Sequence, residues 1–137
     1  MARSITLLLA RLAIGVTFLL HGWAKFTSIG ISGVSAMFEQ AGVPLPSLAA
    51  PAVALLEVAG GVALIAGAAL PVVGALLALD MVGAIVFVHL SNGFFADKGG
   101  IELPLVLGAA CLALAFTGGG ALAADGLWQR RKETVAA

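Results

Sequence analysis

Apolar residues fill four long stretches of this chain, at about 4–26, 47–70, 71–90 and 101–117, with polar punctuation between them. Each is close to the ~20 residues that carry an α-helix across a hydrocarbon core. The last reaches that length only by running into the glycines at 118–120. The pattern predicts an all-α protein, an integral membrane four-helix bundle forming one domain over residues 1–137.

The connections are legible from their turn formers. Residues 27–48 are dotted with Gly and Ser and end in Gly42-Val43-Pro44-Leu45-Pro46. Within them, residues 35–41 read as a short interfacial helix, with Met37 and Phe38 inward and Glu39 and Gln40 toward headgroups. Leu70-Pro71 marks a very tight break between the second and third helices. Residues 91–100, with Asn92-Gly93, Asp97-Lys98 and Gly99-Gly100, form a polar loop.

The first stretch competes with a signal peptide, because Arg3 precedes it. Arg11 interrupts the run, its length exceeds a signal core, and no A-x-A site follows, so it is read as a retained span. Four spans put both termini on one side. Arg3, Arg130, Arg131 and Lys132 then face Lys25 and Lys98 across the bilayer, and the positive-inside rule places both termini in the cytoplasm. The expected location is a membrane, crossed several times.

Composition agrees. The 137 residues are 61% hydrophobic and 10% charged, with mean hydropathy +1.13. That leaves too little charge to cover a soluble surface. Net charge is zero and no basic run extends beyond residues 130–132, which gives nucleic acid no footing. Cys111 is the only cysteine, so dithiol exchange within the chain is excluded, and its Leu and Ala neighbours suit a small buried hydrophobe.

Against this background seven ionisable side chains stand out: Arg11, His21, Lys25, Glu57, Asp80, His89 and Glu102. A charge at the centre of a spanning helix costs roughly 2.5–3.5 kcal/mol on insertion scales, so each must pair, face the bundle or act. Depth, at ~1.5 Å per residue, collects most of them in the outer half of the bundle. At about 100° per residue, Arg11, Gly15, Phe18, Gly22 and Lys25 share a stripe with His21 on its flank, and Gly60, Gly61 and Leu64 share the face of Glu57. By depth the expected pairs are Arg11 with Asp80, and Lys25 or His21 with Glu57 or Glu102. His89 falls opposite Asp80 on an ideal helix, so either one points away from the bundle axis or the helix is distorted. No metal site or haem is favoured, since the two histidines and the carboxylates lack ligand spacing within a helix. Two readings stay open: packing contacts that fix helix register, and a polar pocket that binds a quinone, thiol or oxyanion or passes a proton.

Several motifs follow one another along the chain: Arg11-x3-Gly15-x5-His21-Gly22-x2-Lys25, Gly42-Val43-Pro44, Glu57-x2-Gly60-Gly61-x2-Leu64, His89-x3-Gly93-Phe94-Phe95, Gly100-x-Glu102 and Ala124-Asp125-Gly126. Over nearly the whole chain they resemble the DoxX family of small four-helix membrane proteins. The sequence departs from that pattern at Leu70-Pro71, where relatives often carry a basic residue, and at 118–120 and 123–125. The resemblance implies a bacterial inner-membrane location and a membrane subunit or anchor of a quinone- or sulfur-linked redox complex, with quinone as the cofactor class. It implies membrane lipids, soluble redox enzymes or a second membrane subunit as partners, and leaves a homo-oligomer open. It does not settle whether the chain is itself an enzyme, because a shared fold hosts many activities. A non-catalytic scaffold acting through residues 27–48 or 118–137, and a small-solute transport component, are the competing readings. Arg11, His21, Lys25, Glu57, Asp80 and Glu102 are the candidate ligand- or proton-pocket residues.

Overall fold

A computed structural model describes residues 1–127; the basic residues at 130–132 lie outside them. Helix α1 (Ala2–Thr27) is followed by the short α2 (Ile31–Gln40), then α3 (Pro46–Ala66), α4 (Leu70–Gly83) and α5 (Glu102–Thr117). No strand occurs among the described residues. Beyond Gly83, α4 continues as a π-helical segment at Ala84–His89 and a 3-10 turn at Leu90–Asn92. Three helical runs are long and apolar enough to cross a membrane: Ala2–Thr27, Pro46–Ala66 and Leu70–Asn92. Helix α5 has 16 residues, about 24 Å at 1.5 Å per residue, which is short of the ~30 Å core.

Small residues set how the helices meet. Gly15 and Gly61 face each other across α1 and α3: a Cβ on Gly61 would lie 2.6 Å from the Gly15 carbonyl and 2.7 Å from the Leu19 nitrogen. One side chain more would push two backbones apart. Between α4 and α5, Gly74 meets the Cys111 carbonyl, while Gly108 meets Met81. The core between the two pairs is apolar, built from Phe18, Leu64, Leu70, Leu77, Met81, Cys111 and Leu114. A second cluster of Val34, Phe38 and Ala50 seats α2 on the start of α3.

The outside is equally apolar. Leu9, Leu20, Trp23, Leu55, Leu79, Val106 and Phe116 are all more than half exposed. Water would not tolerate such a belt on a folded monomer, and a bilayer requires it.

Two boundaries differ from the sequence expectation. Helix α2 starts at Ile31 rather than 35, because Gly30 (φ 78°) turns the chain directly into it. The break between α3 and α4 falls at 67–69 rather than at Leu70-Pro71: Gly67 (φ 74°) ends α3, and Pro71 lies inside the first turn of α4. Proline lacks an N–H that the first turn does not use, so it marks a helix start here and not a linker.

Candidate functional site

At the end of the bundle where α1 finishes and α5 begins, the helices part around a cavity of about 750 Å³. Helix α2 closes it from one side with Met37 and Phe38; Phe38 is buried as its inward placement predicts, whereas Met37 lines the edge and stays 46% exposed. Its walls are mostly Leu, Val, Phe, Ala and Met, and its polar lining consists of His21, Lys25, Glu57, Asp80 and His89. Leu76, Leu79 and Phe87 line it and are also exposed on the outer apolar surface, so the cavity communicates with the bilayer side.

Lys25 and Glu57 form its central contact. The Lys25 Nζ donates to Glu57 Oε2 at 2.5 Å. Glu57 is 4% exposed, and it sits on the Gly60/Gly61 face of α3, which the α1 glycines allow to approach closely. Lys25, in the last turn of α1, also suits the negative end of that helix. Asp80, on α4, lines the same cavity as Glu57 and Lys25. Its Oδ2 is buried with no hydrogen-bond partner among the described residues. His21 is exposed at the rim.

His89 joins this group because α4 does not stay an α-helix. The π segment at Ala84–His89 takes a wider turn, so each residue there rotates less than about 100°. That carries His89 from the far side of the helix to the wall it shares with Asp80. Its Nδ1 bonds the Gly99 carbonyl at 2.6 Å, which ties the loop to the ring.

Two of the expected pocket residues lie elsewhere. Arg11 does not meet Asp80. It is fully buried at the opposite end of the bundle, donating to the carbonyls of Leu64 (3.4 Å), Ile65 (3.0 Å) and Leu122 (3.0 Å). The exposed C-terminal carbonyls of α3 are what a buried guanidinium seeks, and they lie nearer than any carboxylate on α4. Glu102 does not meet Lys25 or His21 either. Its Oε2 accepts from the Ala96 amide at 2.8 Å and holds the 93–102 loop.

Asp125 is the residue whose role the sequence reading did not assign. Its carboxylate accepts from the amides of Ala69 (2.8 Å) and Leu70 (2.9 Å), capping α4 from 55 residues away. Caps are sought just before a helix, and here Ala69 occupies that position without a side chain to do it. Asp125 stood in the sequence only as part of the Ala124-Asp125-Gly126 motif of the resemblance.

Fold and cavity together define a helical, multi-pass membrane protein with an apolar cavity that carries a few polar side chains. The family model described as DoxX matches residues 6–90, and the chain belongs to the DoxX family. It is 38% identical over 118 residues to a Bacillus subtilis (strain 168) protein named "Putative oxidoreductase CatD", covering 86% of this chain and 83% of that one. It is 32% identical, over 84% of each chain, to a Haemophilus influenzae protein named "Uncharacterized protein". No solved structure matches.

Proposed function

We propose that the chain is a membrane subunit or anchor of a redox complex, and that its cavity holds the quinone- or sulfur-linked ligand of that complex. The carrying observation is the cavity itself: about 750 Å³, apolar in its walls, with Lys25, Glu57, Asp80 and His89 on its lining. Small-molecule sites typically have this size and this division between apolar wall and a few convergent polar groups. A tailed quinone fits that division better than a sulfur anion, its ring against the polar residues and its tail along Leu76 and Leu79. The oxidoreductase name of the Bacillus relative supports the redox direction.

The topology that goes with this reading has four spans, with α5 completed by the residues after Thr117, both termini in the cytoplasm and the cavity in the outer half of a bacterial inner membrane. Soluble redox enzymes or a second membrane subunit would supply the electron path, since the described residues contain no dithiol.

Purification from native membranes into nanodiscs, followed by solvent extraction, tests it. Bound quinone approaching one per chain is expected, with depletion in Glu57→Gln and Lys25→Met when counted per folded chain. Quinone-free protein, together with unchanged quinone reduction in membranes lacking the chain, would overturn it.

A further inference from the structure

The cavity shares part of its wall with the apolar belt. Met37 on α2, Leu76, Leu79 and Phe87 on α4, and Leu103 on α5 all line it, and all are exposed on the outside of the bundle. These three helices put only apolar side chains on that exposed edge. From Leu76 to Phe87 the edge runs about 16 Å along α4, roughly half of the ~30 Å hydrocarbon core. Met37 is unbranched and turns about three bonds, so it can yield where something passes.

The walls say what suits the space behind that edge. Water settles in a cavity only where each molecule finds about two to four polar partners. Phe18, Phe38, Val53, Leu56, Ala84 and Leu107 offer none, and the five polar residues leave the greater part of the wall apolar. Hydrocarbon meets such a wall with dispersion contacts, and it leaves one apolar medium for another in doing so. It is also the phase that the exposed edge touches in a bilayer.

We propose that one acyl chain of a bilayer phospholipid enters sideways over the edge formed by Met37 and Leu79 and lies against Phe38 and Phe18. The head group stays in the headgroup layer, and the chain alone is held. The chain occupies the cavity whenever no other ligand does, so a ligand arriving from the membrane exchanges with lipid and not with water. This is independent of the redox reading above, because it needs only the cavity's walls and its open edge.

The test puts a reporter on the wall. Phe38, 9% exposed, is replaced (Phe38→Trp) in the full chain with both native tryptophans removed (Trp23→Phe, Trp128→Phe). The protein is placed in nanodiscs of phosphatidylcholine brominated in mid-chain, since bromine quenches tryptophan fluorescence at short range. Trp23, exposed on the belt, is the reference in a chain carrying Trp128→Phe alone. Phe38→Trp is expected to be quenched at least half as strongly as Trp23 and to be untouched by aqueous iodide. Ala84→Phe combined with Val53→Phe grows two walls into the cavity and is expected to remove most of that quenching. Quenching below half of the reference overturns the inference, and so does quenching by iodide, which means water. Quenching that persists in the filled variant comes from lipid outside the cavity and overturns it as well. Phe18→Trp, on the same lining, repeats the measurement where Phe38→Trp does not fold, and the reference and iodide comparisons decide where the filled variant does not. Quinone carried by protein from native membranes is counted separately, so either reading can fail alone.

Discussion

Arg11 and Asp125 hold the same turn from opposite sides. Arg11 takes the carbonyls of Leu64 and Ile65 that close α3, and Asp125 takes the amides of Ala69 and Leu70 that open α4. Each charge meets the helix end of opposite polarity, a cation at a C-terminus and an anion at an N-terminus. The turn between them contains Ala69 at φ 51°, a left-handed conformation that costs a residue with a side chain about 1 kcal/mol. The two charges over-determine a strained corner.

Arg11→Met is therefore expected to destabilise the whole fold rather than empty the cavity. It strands buried carbonyls whose bonds to a charged donor are each worth roughly 1.5–3 kcal/mol. Cys111, fully buried and the only cysteine, offers the readout: maleimide labelling on heating should begin at clearly lower temperature in the variant. Unchanged labelling would remove Arg11 from the architecture.

Asp125→Ala should cost about 0.5–2 kcal/mol, the range for a lost helix cap. Asp125→Asn, which keeps an acceptor, should recover part of it. Both follow from the same thermal labelling assay, and equal losses would show that charge and not the hydrogen bonds matters.

Lys25 and Glu57 call for a double-mutant cycle. Either single change, Lys25→Met or Glu57→Gln, leaves a partner largely buried and unpaired, which typically costs about 3–5 kcal/mol. The double variant should be more stable than the worse single one, because it removes both charges together. Additive losses would mean that the two side chains do not compensate each other.

Helix contact predicts a contrast between glycines. Gly61→Ala drives a methyl group into the α1 backbone and should destabilise by about 1–3 kcal/mol. Gly83→Ala meets nothing within 4 Å, and should be neutral or stabilising by up to about 1 kcal/mol. Measured in parallel, equal effects would refute the close approach of α1 and α3.

Glu102→Gln separates the loop from the cavity. Its contact is with the Ala96 amide, which the amide oxygen of Gln also serves. Quinone retention is expected to match wild type, whereas a loss comparable to Glu57→Gln would return Glu102 to the pocket.

How far the sequence carried these results varies with the physical scale involved. The apolar stretches were legible because membrane thickness and helix period are near-constant, and counted depth narrowed the partner of Lys25 to Glu57 or Glu102, of which it meets Glu57. Counting failed for Arg11, whose long side chain chose backbone carbonyls at the end of α3 over a carboxylate at similar counted depth. For His89 counting left a conflict that a distorted helix would resolve, and the π-helical turn through 84–89 is that distortion. Asp125 escaped because its partners lie 55 and 56 residues away, and no local pattern announces a cap supplied at that range.

The widened turn at 84–89 has one more effect. It works as a gear between two parts of one helix: below it, Gly74, Leu77 and Met81 keep their fixed mesh with the core, while above it the helix is offset by a fraction of a turn. Residues on the rim can change, or a residue can be gained or lost within the segment, and the offset absorbs the change before it reaches the packed half. The cavity's mouth can thus be reshaped without recutting the teeth that hold the bundle together.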